Sequence, residues 1–229
     1  MIKTVFFDLD DTLFDFQKAE RIAISETFKV LGIEPTQDKI ALYNRKNQEE
    51  WLLLEQGKTD RQTLKWHRFY TTFSELGLSF DPRETADIYA TFLSRGHYYI
   101  EGAENLLKEL YPLYDLYLLS NGFSRTQRGR LKGSCLETYM KKIFISQEIG
   151  ADKPNPLFFE RCFAQIPSFR REEAVIVGDS LSSDITGGIA AGLHTLWFSR
   201  STTVPDGKPK PEKTVKRLSD IPRVLKEFS

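Results

Sequence analysis

The stretch FFDLDDTLFDF, residues 6–16, runs an apolar segment straight into Asp8, Asp10 and Asp11 before apolar residues resume. Carboxylates packed this closely repel one another, and at the end of a buried strand they also lose hydrating water. Both effects oppose ionisation, so acids that stay charged there need a positive partner. The plain alternative is that they turn into solvent as turn and cap residues. The polar residues that follow the other apolar runs decide between the two.

Those runs are TVFF at 4–7, YDLYLL at 114–119, IFIS at 143–146, AVIVG at 174–178 and TLWF at 195–198. The first leads into Asp8, Asp10 and Thr12, and the second ends in Ser120, Asn121 and Gly122. After the third comes QEIGADKPNP, with Lys153 before a proline expected to open a helix; the fourth leads into Asp179 and Asp184. The carboxyl ends of parallel strands form the crevice where ligands bind, so four separate segments deliver acids, a hydroxyl, an amide and a lysine to one place. Aspartates can hold a hard divalent cation such as magnesium, which takes oxygen ligands and offsets the clustered charge. Ser120, Asn121 and Lys153 can donate hydrogen bonds to phosphate oxygens, and phosphoryl transfer asks mainly for positioning and electrostatic stabilisation. Of Asp8 and Asp10, one can attack phosphorus to give an acyl phosphate. The other can protonate the leaving oxygen and later take a proton from water.

Strands separated by helical stretches predict an α/β fold, a Rossmann-like parallel sheet core with helices on both faces. The gap between the first two runs is too long for one crossover. Ala19, Ile22, Ala23, Thr27, Val30 and Leu31 recur at helical spacing, and further helices are expected over 38–56, 59–76 and 82–94, punctuated by Gly57, Gly77 and Asp81-Pro82. The expected organisation is a core of residues 1–15 and 98–229 with an all-helical cap, 16–97, inserted after the acidic cluster as a lid that excludes water. The polar stretch 201–214 reads as a surface loop before a short final element.

Taken together, these segments resemble the haloacid dehalogenase superfamily of phosphohydrolases. The four motifs stand in order as DLDDT, SNG, ADKPNP and GDSLSSD. The resemblance implies Asp8 as nucleophile and Asp10 as general acid/base. It implies magnesium held by Asp8, the Asp10 main-chain carbonyl and Asp179, with Asp184 supporting its water shell, and Ser120 and Lys153 on the phosphoryl group. The haloalkanoate dehalogenases of the superfamily lack the second aspartate, so Asp10 argues for phosphate chemistry. SNGF, ISQEIGADKPNPLFF and GDSLSSDITGGIAAG look like the pyrimidine 5′-nucleotidase branch, which dephosphorylates nucleoside monophosphates, noncanonical ones included. The alternative is a phosphatase or phosphomutase acting on a sugar phosphate or a phosphoglycolate-like metabolite. Receiver domains also gather acids, a hydroxyl and a lysine at strand ends; the helical insert and Asp10 speak against one.

Composition narrows the classes further. The 229 residues are 40% hydrophobic and 28% charged, which suits a globular protein with a sizeable core. Lys plus Arg and Asp plus Glu both total 32, so the basic excess of a nucleic-acid binder is missing and the expected partner is a small phosphomonoester. The basic run 125–132 reads as a solvated helix face. Cys135 and Cys162 have no paired spacing and read as reduced thiols. MIKTVFF lacks a signal-like apolar region and no membrane-length apolar run exists, so a cytoplasmic location without membrane attachment is expected. Trp51, Trp66, Phe69, Tyr70 and Phe73 read mostly as the insert's own core, the histidines as structural, and Gly187, Gly188 and Gly192 as close-packing positions rather than a phosphate loop.

Overall fold

The structure, a computed structural model, describes residues 1–199 and 204–228 and divides into two compact units. The first comprises residues 1–16 and 97–229, the second residues 17–96.

The first unit is built on a parallel sheet with strands β1 (Thr4–Phe7), β2 (Asp115–Ser120), β3 (Lys142–Ile145), β4 (Ala174–Gly178), β5 (His194–Phe198) and β6 (Lys213–Val215) in the order β3-β2-β1-β4-β5-β6. The β6 strand lies within the stretch 201–214 expected to be a loop and the next residue. Its half-buried lysine and exposed threonine hide the pattern, and only Val215 is buried. Residues 201–203 of that expected loop lie outside the described residues.

Strand alternation divides the core in two. Val5, Phe7, Leu116, Leu118, Val175, Val177 and Leu196 belong to one cluster with Leu106, Leu107, Leu110, Ile221, Val224 and Leu225. Phe6, Tyr117, Leu119, Phe144 and Ile176 belong to the other with Phe158, Phe159, Cys162 and Phe163. Both sheet faces are therefore covered, as purely parallel sheets require. The chain runs outward from β1 through β2 to β3, then returns to place β4 on the other side of β1. The strand order reverses between β1 and β4, which is where such sheets hold their ligands.

The second unit is helical: α1 (Phe16–Val30), α2 (Gln37–Glu55), α3 (Arg61–Leu76) and α4 (Pro82–Leu93). Asp60 caps α3 by accepting from the Gln62 and Thr63 amides, and Asp81 caps α4 by accepting from Arg83 and Glu84. Gly77 ends α3 with φ of 65°, where a side chain would be strained. Tyr43 stacks on Phe69 at 5.2 Å, and Tyr89 and Phe73 pack beside Phe69. Trp51 and Trp66 are only partly buried, and Tyr70 is 54% exposed. Among the described residues no helix is long and apolar enough to cross a membrane.

Candidate active site

The β1 strand stops at Phe7, and Asp8 follows with its amide still bonded to the Val177 carbonyl of β4 at 2.9 Å. This bond pins Asp8 at the switch point. The chain then leaves the sheet in a tight reversal: the Leu13 and Phe14 amides donate to the Leu9 carbonyl, and the Asp11 amide donates to Phe14 at 2.7 Å. Asp11 takes φ of 59°, a conformation that Asp tolerates better than most residues, and its carboxylate accepts from the Phe16 amide. Asp10 therefore lies in a turn, and its direction is set by that turn rather than by strand alternation with Asp8.

Lys153 is the positive partner that the acidic cluster demanded. Its ammonium, 2% exposed, donates to Asp8 Oδ1 at 2.6 Å, Asp184 Oδ1 at 2.7 Å and the Leu119 carbonyl at 2.9 Å. Asn121 fixes the lysine's main chain: its amide nitrogen donates to the Lys153 carbonyl at 2.8 Å, and its oxygen accepts from the Lys153 amide at 2.9 Å. The structure thus engages the Asn121 side chain with the lysine loop that carries a proposed phosphate ligand. The helix expected to open at Pro154 begins instead at Pro156, because Asn155 caps it by accepting from the Leu157 amide.

The other acids arrive from β4. Asp179 follows Gly178 directly; its carboxylate accepts from Thr12 Oγ1 at 3.4 Å, and its carbonyl accepts from the Trp197 indole at 2.7 Å. Asp184 is fully buried, and its second oxygen accepts from the Ser180 amide at 3.1 Å. It sits so tightly against the strand end that a Cβ on Gly178 would lie 2.3 Å from its Oδ2. Only glycine fits there.

One carboxylate oxygen from each of Asp8, Asp179 and Asp184 falls within 4.8 Å of the others. These acids share one ammonium, which leaves an excess of negative charge in a site from which water is mostly excluded. Burial pushes the Asp8 carboxyl up to about 8; Lys153 opposes that rise, and Asp184 and Asp10 add to it. Burial, then Asp8 and Asp184, raises the Asp179 carboxyl well above the usual carboxylate range. Burial alone would lower the Lys153 ammonium, but Asp184 and Asp8 outweigh it and hold the lysine charged. Oxygen donors, convergent geometry and a deficit of positive charge fit a hard divalent cation.

Ser120, at the end of β2, is 1% exposed. Its hydroxyl oxygen accepts from Gln127 Nε2 at 2.8 Å and from the Gly122 amide at 3.2 Å. With both lone pairs engaged, its own proton is left to donate. Asp10 is held by two residues that sequence reasoning missed. Gln127 Nε2 donates to Asp10 Oδ2 at 2.7 Å, and Arg130 Nη1 donates to Asp10 Oδ1. Both belong to α6, the sixth helix in chain order, Ser124–Gly133, which follows α5 (Ala103–Leu110). The basic run 125–132, read as a solvated face, is in part the opposite: Arg130 is 0% and Gln127 2% exposed. Leu131 is the one large apolar residue of α6, so hydropathy shows no buried face. The available signal was the spacing of Thr126, Gln127, Arg130 and Leu131, which share one side of a helix.

A family model described as haloacid dehalogenase-like hydrolase matches residues 5–198. The chain is similar to the HAD-hydrolase YfnB of Bacillus subtilis, 38% identical over 97% of this chain and 95% of that one. It is also similar to the pyrimidine 5′-nucleotidase PynA of Streptococcus pneumoniae, 37% identical over 86% of this chain and 84% of that one. The crystal structure of YfnB bound to magnesium, described as revealing interdomain movement, superposes with a TM-score of 0.93 at 37% identity, covering 98% of each chain.

Proposed function

This chain belongs to the haloacid dehalogenase-like hydrolases, and from that premise we propose that it hydrolyses pyrimidine nucleoside 5′-monophosphates through an aspartyl phosphate on Asp8. The observation that carries the reading is the division of labour between the first two aspartates. Asp8 is bonded to Lys153 beside Asp184, whereas Asp10 has partners of its own on α6. One carboxylate is thereby kept as a nucleophile and the other as a proton carrier.

The Asp8 carboxylate oxygen bonds to phosphorus while the bond to the leaving oxygen breaks, and its electron pair goes to that oxygen. Asp10 delivers its proton there, releasing the nucleoside alcohol. Asp10, now a carboxylate, takes a proton from water as the water oxygen attacks phosphorus. The bond from phosphorus to the Asp8 oxygen breaks, inorganic phosphate leaves and the Asp8 carboxylate is restored. The Ser120 hydroxyl and Lys153 ammonium donate to the phosphoryl oxygens throughout. In this reading Asp8, Asp179 and the Asp10 main-chain carbonyl would hold magnesium, with Asp184 supporting its water shell. The cation would neutralise charge on the phosphoryl oxygens.

The pyrimidine preference is supported by the likeness to the streptococcal nucleotidase. We take residues 17–96 as the family's cap and assign substrate selection to it. Aromatic stacking on a base contributes about 1–3 kcal/mol, enough for roughly ten- to hundredfold preference over a phosphate without a base. The test is phosphate release from the purified protein with magnesium, across pyrimidine and purine nucleoside monophosphates, hexose phosphates and phosphoglycolate. UMP, dUMP or dTMP should lead by kcat/KM. A hexose phosphate or phosphoglycolate in first place would remove the nucleotidase assignment and leave a general phosphatase.

A further inference from the structure

The α6 helix places two buried side chains on the two residues that meet opposite ends of the reaction. Gln127 Nε2 carries two hydrogens, and its two acceptors are Asp10 Oδ2 at 2.7 Å and Ser120 Oγ at 2.8 Å. Arg130 Nη1 likewise serves two acceptors, Asp10 Oδ1 and Gln127 Oε1, the latter at 2.9 Å. Each oxygen of the Asp10 carboxylate therefore has its own donor, one from each residue. The Gln127 amide cannot be turned over without facing its nitrogen to Arg130 and its oxygen to a carboxylate. The guanidinium is itself seated on apolar surface, 5.3 Å from the Phe14 ring centre and 5.8 Å from that of Phe16. Gly122 closes the arrangement, since a Cβ there would lie 2.4 Å from Gln127 Nε2.

We propose that Gln127 and Arg130 are positioning residues that lock the Asp10 carboxyl toward the leaving oxygen and aim the Ser120 hydroxyl proton at the phosphoryl group. The proposal rests on the reading of Asp10 as the proton donor above. An unheld carboxyl in a turn samples several rotamers; a carboxyl gripped at both oxygens keeps one. A proton must pass along a line of hydrogen-bond length, so loss of that single orientation costs much of the benefit of general acid catalysis, which contributes roughly 10²- to 10⁴-fold.

A merely structural pair would slow all substrates alike, whereas a pair that aims the proton donor matters only where the leaving group needs a proton. Wild type, Asp10→Asn, Gln127→Met and Arg130→Lys would be compared on p-nitrophenyl phosphate, whose phenolate departs unprotonated, and on UMP, whose alkoxide does not. The ratio of kcat/KM, aryl over alkyl, reports the step up to phosphoryl transfer. It should rise about a hundredfold in Asp10→Asn, and by at least tenfold in Gln127→Met and Arg130→Lys. Gly122→Ala, which displaces the Gln127 amide from Asp10 and Ser120 while leaving its chemistry intact, should raise it too and keeps the test alive if Arg130→Lys fails to fold. A raised ratio in Asp10→Asn with an unchanged one in the α6 variants overturns the positioning role and leaves the proton donor standing. An unchanged ratio in Asp10→Asn overturns both. Wild type that releases phosphate from neither substrate defeats the phosphatase reading itself.

Discussion

Replacing Lys153 by methionine keeps most of the side-chain volume and removes the one ammonium bonded to both Asp8 and Asp184. The two ion pairs, at 2.6 and 2.7 Å, are buried on both sides or nearly so. At an effective dielectric constant near 20, each such pair is worth roughly 4 kcal/mol or more in gross attraction. Removing the lysine also removes its own desolvation penalty of several kcal/mol, but it strands two buried carboxylates. Breaking one side of a buried pair costs about 3–5 kcal/mol, equivalent to a fall in Tm of roughly 6–20 °C for a chain of this size. The cost should depend on pH with a definite sign. In the presence of chelator, the folded Asp8 carboxyl titrates at about 8 against an unfolded value of 3.8. A folded value above the unfolded one means that stability is highest below about 4 and declines as pH rises through 8. Without Lys153 the folded Asp8 carboxyl titrates higher still, so the two proteins lose stability in parallel up to about pH 7. The variant's deficit should widen only above 8, as at about pH 9, where wild type levels off and the variant keeps declining. Urea denaturation in EDTA at about pH 7 and about pH 9 measures it. A loss below about 1 kcal/mol at about pH 9, or a loss no larger there than at about pH 7, would refute the claim that Lys153 neutralises this cluster.

Asp8→Asn should abolish turnover while leaving the thermal melt within a few degrees, because the amide is near-isosteric and not nucleophilic; rapid-quench labelling should trap an acid-stable phosphoryl-enzyme in wild type and none in the variant. Magnesium should raise the Tm of wild type in a thermal-shift titration. In Asp179→Ala that response should be weakened at least tenfold in apparent affinity, and an unaltered titration would remove Asp179 from the metal set. Cys162 is buried, and burial pushes its thiol up to about 12, whereas Cys135 is exposed. A maleimide should therefore modify the native chain at Cys135 alone, read by peptide mass, with Cys162 reacting only in denaturant.

Sequence and tertiary structure each determined a distinct part of this protein. Short apolar runs ending in polar residues specify strands with chemistry at their carboxyl ends, so Asp8, Ser120, Lys153, Asp179 and Asp184 were legible as one constellation before any fold was known. Periodicity and caps likewise marked the helices of the insert, since Asp60, Gly77 and Asp81 act within a turn of themselves. The β6 strand was not legible, because a three-residue edge strand with one buried side chain carries no alternation to detect. Direction was not legible either. Asp8 and Asp10 look equivalent along the chain, and only the reversal at Asp11 separates the one bonded to Lys153 from the one given to α6. Asn121 reads as a phosphate ligand by position, yet its amide spans a gap of 32 residues to hold the lysine loop. Gln127 and Arg130 reach Asp10 across more than a hundred residues of chain, from a helix whose composition resembles a solvated surface. A buried arginine leaves no hydrophobic signature, because the carboxylate that makes its burial tolerable is supplied by another segment; that pairing exists only once the sheet has brought β1 and β2 side by side.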